Sequence, residues 1–115
     1  RRAIVLDDEI ATGGSIVEIV TRLGDFGCSE VSVACTHGLF AGKAVEKLQG
    51  VSRIVEVVST NTVPPPVDFP GLTVLSVAAL FADAIDRIHN GRSVSKLFND
   101  VDPAYAPPPE PEGLF

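Results

Sequence analysis

Short aliphatic runs alternate with segments of helical spacing along most of the chain. The runs that begin at Ala3, Val31, Ile54 and Leu72 are typical of buried strands. Strands that alternate with helices across short loops predict an α/β fold with a parallel sheet and right-handed crossovers. The predicted strands are 3–6, 31–35, 54–58 and 72–77, and the predicted helices are 16–23, 41–48, 78–89 and 93–98.

The ends of the chain differ from this pattern. Residues 99–115 are rich in proline and acidic side chains, which predicts a disordered tail after one domain at 1–98. The chain starts at Arg1, and the first strand begins only two residues later. We therefore expect the C-terminal part of a longer protein, with a domain incomplete at its N-terminus. Strands that are aliphatic on both faces also predict helices on both faces of the sheet.

Charge and composition exclude several classes of partner. The formal net charge is −6 and no basic cluster is present, which argues against nucleic-acid binding. No apolar run approaches the roughly 20 residues of a membrane span, and no signal peptide is visible, so we expect a cytoplasmic protein without membrane association. Cys28 and Cys35 flank one predicted strand without metal-ligand spacing, and we expect them to be reduced, buried thiols.

The strongest chemical signal lies where the first strand meets the first helix. Asp7 and Asp8 follow the apolar run, and the turn Thr12–Ser15 opens the helix. Free backbone N–H groups at a glycine-rich helix start hold phosphate, whereas carboxylates accept hydrogen bonds from hydroxyls or hold hydrated Mg²⁺. A ligand with a phosphate at one end and a diol at the other satisfies both halves.

Two more polar segments fall at strand ends, at residues 36–40 and 59–63. In parallel sheets, ligands bind outside the carboxyl ends of the strands. We expect these segments to converge with residues 7–15 on one crevice. For His37, a structural or interface role is favoured over a catalytic one, because no acidic side chain is adjacent in sequence.

Residues 6–15 resemble the binding loop for phosphoribosyl diphosphate (PRPP) in type I phosphoribosyltransferases and ribose-phosphate diphosphokinases. The resemblance implies that Asp7 and Asp8 contact ribose hydroxyls, with Mg²⁺ held through water at the same carboxylates. It also implies a cradle for the 5-phosphate of ribose 5-phosphate or PRPP. The residues matched to that cradle and its edge are Ala11, Thr12, Gly13, Gly14 and Ser15.

Three further segments distinguish the branches of this superfamily. Ala11 is typical of adenine phosphoribosyltransferases, since diphosphokinases usually carry Asp there. However, residues 36–44, 60–64 and 84–98 are similar, in the same order, to segments of ribose-phosphate diphosphokinases (PRPP synthetases). The chain therefore resembles the C-terminal part of that family, which has a Rossmann-like, type I phosphoribosyltransferase-like fold. Ser15 for Thr and Arg92 for Glu are the other departures.

The resemblance implies transfer of the β,γ-diphosphoryl group of ATP to ribose 5-phosphate, with Mg²⁺, in a homo-oligomer. The family's cationic catalytic loop and most ATP contacts lie outside the matched segment, so no catalytic residue is assigned and the segment alone is expected to be inactive. Ser93 and Ser95 match a regulatory anion-binding segment, although capping of a short helix by Ser93 is an equal alternative.

Two other functions remain open from the sequence. A non-catalytic paralogue that assembles with a true diphosphokinase would keep the same motifs. A purine phosphoribosyltransferase would explain Ala11.

Overall fold

The computed structural model describes residues 1–99, in two compact units that divide after Val77. The predicted tail therefore lies, apart from Asn99, outside the described residues. The first unit contains β1 (Arg2–Ile10), α1 (Gly14–Asp25), β2 (Glu30–Gly38), α2 (Ala44–Gln49), β3 (Ile54–Thr60) and β4 (Leu72–Leu75). The second contains α3 (Ala78–His89) and α4 (Lys96–Asn99).

The four strands form one parallel sheet in the order β1-β2-β3-β4, which confirms the predicted α/β class and parallel pairing. Because consecutive strands are neighbours, their carboxyl ends lie along one edge of the sheet. Val5 is in register with Val33, and Val33 with Val57, so aliphatic side chains align across three strands. This register places the end of β1 beside the end of β2.

One face of the sheet carries the hydrophobic core of the first unit. Val5, Val33 and Val57 on the strands pack with buried Val20 of α1 and Leu48 of α2. Burial of each such side chain contributes on the order of 1.5–3 kcal/mol relative to leaving it in water. This cluster fixes α1 and α2 against the sheet and therefore fixes the turn that precedes α1.

Within residues 1–77, the helices pack on one face of the sheet only, and the expectation of helices on both faces of a complete domain stays a prediction. Ile4 and Leu6 point to the opposite face from Val5 and are 72% and 77% exposed. Alternate residues of a strand point to opposite faces, so a strand that is aliphatic throughout places apolar side chains on both. In residues 1–77, α1 and α2 both pack in the single cluster on the Val5 face.

The strands extend further into the polar segments than the sequence pattern predicts. β1 continues through Asp7 and Asp8 to Ile10, β2 to Gly38 and β3 to Thr60. Neighbouring strands supply hydrogen-bond partners to the backbone whatever the side chains are, and this overrides the low strand propensity of aspartate. The loop between β1 and α1 is consequently short, running from Ala11 to Gly13.

In the second unit, α3 has the bounds that its apolar spacing predicts. It ends at Asn90–Gly91, where Gly91 has φ 64°, a conformation that glycine adopts at little cost. α4 begins at Lys96, three residues later than predicted.

Candidate functional site

The turn between β1 and α1 leaves a helix start open to an anion. Gly13 precedes α1 in the left-handed conformation, with φ 72° and ψ 0°. No side chain caps the helix by a hydrogen bond, and no acidic residue occupies its first turn. The first N–H groups of a helix have no partner within it and carry partial positive charge. The start of α1 is therefore suited to bind a phosphate.

A concave pocket of about 130 Å³ lies at this turn, lined by Asp7 and residues 9–16. Asp7 is half-buried at the end of β1, and its carboxylate Oδ1 accepts a 2.9 Å hydrogen bond from the backbone N–H of Asp8. The pocket thus has a carboxylate on the strand side and backbone N–H groups on the helix side. These two kinds of group can bind, respectively, hydroxyl donors and an anion.

The two predicted carboxylates are placed differently. Asp7 lines the pocket, whereas Asp8 is exposed and is not among its lining residues. Glu9, which is exposed, contributes to the lining of the pocket. A one-residue step along a strand reverses the side-chain direction, so adjacent aspartates cannot both point the same way.

α2 and the loop before it are hydrogen-bonded to the turn that precedes α1. The Lys47 ammonium donates a 3.2 Å hydrogen bond to the carbonyl oxygen of Thr12. The backbone N–H of Ala41 donates a 2.8 Å hydrogen bond to the carbonyl oxygen of Ala11. Lys47 brings a cation next to the turn. Lys47 lies 35 residues from Thr12 in sequence, so no local sequence pattern links it to the turn.

The segment after β2 also contacts the end of β1. The carbonyl oxygen of Ile10 accepts hydrogen bonds from the backbone N–H groups of Leu39, at 3.0 Å, and Phe40, at 3.1 Å. Phe40 has φ 44°, which is uncommon for a side chain of this size. Its buried ring packs edge-on against Phe69, with the ring centroids 5.4 Å apart. Packing therefore holds a strained residue beside the pocket.

His37 lies in a hydrogen-bonded cluster between β2 and β3. Its Nδ1 is 2.8 Å from the hydroxyl oxygen of Thr62. The hydroxyls of Thr60 and Thr62 both donate to the carbonyl oxygen of Thr36, at 2.7 and 2.9 Å. These contacts join the second and third polar segments, and the Ile10 contacts join the first and second. The three segments are thus linked along one edge of the sheet, but only the first lines the pocket at the start of α1, and their convergence on one crevice stays a prediction.

The cluster supports a structural role for its members. Asn61 accepts a 2.9 Å hydrogen bond at Oδ1 from the backbone N–H of Val77. Neither His37 nor Asn61 lines the pocket at the start of α1. Their hydrogen bonds connect strand ends.

Both cysteines are free thiols, Cys35 buried and Cys28 half-buried, so the prediction of burial is confirmed for Cys35 only. Burial raises the pKa of the Cys35 thiol, and the negative charge of Asp7 raises it further. A backbone hydrogen bond with Ile10 acts in the opposite direction. Cys35 is therefore a protonated, unreactive thiol at neutral pH.

No group of three or more His, Cys, Asp or Glu side chains within residues 1–99 is arranged to hold a metal ion. Mg²⁺ commonly binds through one or two carboxylates, retained waters and substrate phosphate rather than a protein cage. Asp7 at the pocket fits that mode, and Asp8 is adjacent to it in sequence.

Ser93 and Ser95, in the second unit, form a turn before α4. The Ser93 hydroxyl accepts a 3.3 Å hydrogen bond from the backbone N–H of Ser95. Nearby cations are already paired, Arg87 with Asp83 at 3.1 Å and Arg92 with Asp86. Because α4 begins at Lys96, Ser93 does not occupy the helix-capping position that the sequence suggested.

No helix of residues 1–99 is long and apolar enough to cross a bilayer.

The fold is similar to that of a solved enzyme structure. The crystal structure of phosphoribosylpyrophosphate synthetase from Mycobacterium smegmatis aligns with a TM-score of 0.73 and 38% sequence identity, over 79% of this chain and 31% of that one. A likeness at this level of identity supports a shared family as well as a shared fold.

Curated relatives of this chain are named as ribose-phosphate pyrophosphokinases. A putative ribose-phosphate pyrophosphokinase of Streptomyces coelicolor is 49% identical over 106 residues, which is 90% of this chain and 33% of that protein. The ribose-phosphate pyrophosphokinase of Clostridium acetobutylicum is 45% identical over 102 residues, 87% of this chain and 32% of that protein. The chain thus spans about a third of the length of these relatives.

The sequence profile of the phosphoribosyl synthetase-associated domain matches residues 1–99. This match includes every described strand and helix, from β1 to α4. The chain therefore belongs to the phosphoribosyl synthetase-associated domain family.

Proposed function

We propose that this chain provides the ribose 5-phosphate site of a ribose-phosphate diphosphokinase, which makes PRPP and AMP from ATP and ribose 5-phosphate. The observation that carries the proposal is the pocket at the start of α1. It has the Asp7 carboxylate on one side and an uncapped helix N-terminus on the other. The names of the relatives and the family match support the same activity.

In this proposal the 5-phosphate lies against the backbone N–H groups of the segment Thr12–Ser15. Gly14 has open space around it, since a Cβ built there meets no atom within 4 Å. Asp7 accepts hydrogen bonds from the ribose hydroxyls. Asp8, which is exposed, contacts the far side of the sugar or a bound cation.

Mg²⁺ fits the same edge of the pocket. Asp7 and Asp8 would hold it through water, and the ion would neutralise charge that develops during diphosphoryl transfer. The chain's own residues bind and orient the sugar phosphate.

The groups that act on ATP are assigned to the rest of a longer protein. The chain spans about a third of its relatives, and the pocket at the start of α1 carries no Lys or Arg among its lining residues. Diphosphoryl transfer needs cations aimed at the migrating group. ATP binding and catalysis therefore require the parts that precede this segment in the family, in an assembly that we propose is a cytoplasmic homo-oligomer.

Ala11 favours a second candidate, a purine phosphoribosyltransferase that joins PRPP to a base. The backbone carbonyl oxygen of Ala11 accepts a 2.8 Å hydrogen bond from the backbone N–H of Ala41. Position 11 therefore shapes the turn through its main chain, and either enzyme can use a main-chain contact of this kind. Release of diphosphate from PRPP and adenine, measured with a longer polypeptide, would favour the transferase. A longer polypeptide that binds ribose 5-phosphate without releasing AMP, yet alters an active diphosphokinase on mixing, would favour the regulatory paralogue.

Calorimetric titration tests the proposed site directly. Ribose 5-phosphate should bind more tightly than inorganic phosphate, because only the sugar engages Asp7. Asp7→Asn should weaken ribose 5-phosphate binding by about 10-fold, equivalent to about 1.4 kcal/mol, and leave phosphate binding nearly unchanged. Asp25→Asn, an exposed aspartate at the other end of α1, is the matched control. Equal loss of both ligands in Asp7→Asn would contradict the division of roles.

A further inference from the structure

Phe40 has a backbone conformation that its own side chain disfavours. Its φ of 44° lies in the left-handed region, which residues with bulky side chains seldom adopt. A residue keeps such a conformation only where the surrounding structure enforces it, and residues of this kind concentrate at functional sites. The contacts that enforce the conformation of Phe40, and the groups that it directs, therefore indicate its role.

The ring of Phe40 is held by contacts inside the first unit. Phe40 is 3% exposed, and its ring packs edge-on against that of Phe69, with the centroids 5.4 Å apart. A Cβ built at Gly38 would lie 2.4 Å from the ring atom Cε2 of Phe40 and 3.0 Å from the Cβ of Ser59. The ring therefore packs directly on the backbone of Gly38, where any side chain would displace it.

The loop at Phe40 directs consecutive backbone N–H groups at the end of β1. Those of Leu39 and Phe40 both donate to the carbonyl oxygen of Ile10, at 3.0 and 3.1 Å. The next one, of Ala41, donates to the carbonyl oxygen of Ala11 at 2.8 Å. A different backbone conformation at residue 40 would redirect these N–H groups and release the end of β1.

These hydrogen bonds connect Phe40 to the pocket without placing it there. Ile10 and Ala11 line the pocket at the start of α1 and directly precede residues 12–15, whereas Phe40 is not among the lining residues. Any effect of Phe40 on a ligand in this pocket is therefore transmitted through the backbone of residues 10 and 11.

We propose that Phe40 is a positioning residue for the anion site at the start of α1. Its buried ring enforces the left-handed conformation, and the resulting hydrogen bonds to Ile10 and Ala11 fix the direction of the backbone N–H groups of Thr12–Ser15. Groups that are fixed in direction before binding hold a ligand more tightly, because less order is lost when it binds. The proposal deepens the proposed function and rests on it for the nature of the ligand, a sugar phosphate.

A purely structural role for the ring makes a different prediction. Loss of packing at Phe40 would then lower the free energy of unfolding and leave the ligand affinity of the folded chain unchanged. A positioning role predicts that affinity falls as well, for inorganic phosphate and ribose 5-phosphate alike, since both use the same backbone N–H groups.

Phe69→Leu and Gly38→Ala test the role without a change at residue 40 or in the lining of the pocket. The first removes the edge-on ring contact, and the second places a methyl group where the ring of Phe40 lies. In calorimetric titrations of residues 1–115, each variant should bind inorganic phosphate and ribose 5-phosphate about 5-fold more weakly than the unaltered chain.

Val31→Ala is the matched control. Val31 is fully buried near the opposite end of β2, so its truncation destabilises the same core far from the loop. Urea denaturation measures the loss of stability in all three variants, and circular dichroism establishes that they are folded. Val31→Ala should keep both affinities. If Phe69→Leu, the milder of the two loop variants, also keeps them, the positioning role is overturned.

Amide signals in nuclear magnetic resonance test the coupling without a ligand. In Phe69→Leu, the signals of Gly13, Gly14 and Ser15 should shift and the N–H of Ala41 should exchange faster with solvent, whereas Val31→Ala should leave them unchanged. If the unaltered chain binds neither phosphate nor ribose 5-phosphate, the proposed function fails, and these signals alone decide the coupling. Unchanged signals of the turn in Phe69→Leu would overturn it.

Discussion

The Lys47 ammonium lies 3.2 Å from the carbonyl oxygen of Thr12, which ties α2 to the turn that opens α1. The bond stabilises the turn and places a positive charge beside the proposed phosphate site. A ligand phosphate would meet this charge together with the N–H groups of the helix start. Both effects favour an anion at the turn.

Replacement of Lys47 by methionine should weaken ribose 5-phosphate binding about 2- to 5-fold, since an exposed charge contributes about 0.3–1 kcal/mol. The loss should shrink as salt concentration rises, because salt screens the charge. Calorimetric titrations at two ionic strengths measure both effects. Lys96→Met, in the second unit, changes the net charge equally and should bind as the unaltered chain does. Identical affinities for both variants would exclude a role for Lys47.

Alanine at Gly13 and at Gly14 should have opposite consequences for stability. Gly13 has φ 72°, so Gly13→Ala should lower the free energy of unfolding by about 1–2 kcal/mol. Gly14 lies at the first position of α1 with no atom near a built Cβ, so Gly14→Ala should leave stability unchanged or raise it by up to about 1 kcal/mol. Urea denaturation measures both values. Because Gly14 lines the pocket, its added methyl group should still reduce phosphate binding.

The free energy of unfolding should fall at alkaline pH because of the buried thiol of Cys35. Burial raises the pKa of its thiol in the folded state, so the thiol of the unfolded chain ionises first as pH rises. The contribution of Cys35 is complete below the unfolded pKa, about 8.5, and is lost as pH rises through the higher folded value. Urea denaturation from pH 7 to 10 should show a steeper decline for the unaltered chain than for Cys35→Ala. An equal decline in both would contradict this. Cys28→Ala is the control.

Residues 1–115 alone should release no AMP from ATP, ribose 5-phosphate and Mg²⁺. The pocket supplies a sugar-phosphate cradle without lysine or arginine in its lining, and loss of one transition-state donor commonly costs about 100-fold or more in rate. A longer polypeptide that includes the preceding part of the family should release AMP. A coupled assay for AMP compares the two. Rapid turnover by residues 1–115 would show that the catalytic cations lie within this chain.

The sequence alone determined the order of elements and indicated the chemistry that we propose for the turn. The apolar spacing of α3 set its bounds, because an amphipathic helix repeats its pattern every 3.6 residues. The glycines of the turn indicated an anion site, because left-handed backbone and close approach both require glycine. These are local properties, and they can be predicted without knowing which residues are in contact in the fold.

Tertiary structure decided what depends on residues far apart in sequence. β1 extends through Asp7 and Asp8 because β2 supplies its backbone hydrogen bonds, and this extension turns the two carboxylates in different directions. Lys47 reaches Thr12, and Ile10 bonds to Phe40, only because the core holds α2 and β2 against the end of β1. The exposed face of Ile4 and Leu6 follows from which side of the sheet the helices cover. An aliphatic sequence leaves that choice open, since both faces of such a strand are equally apolar.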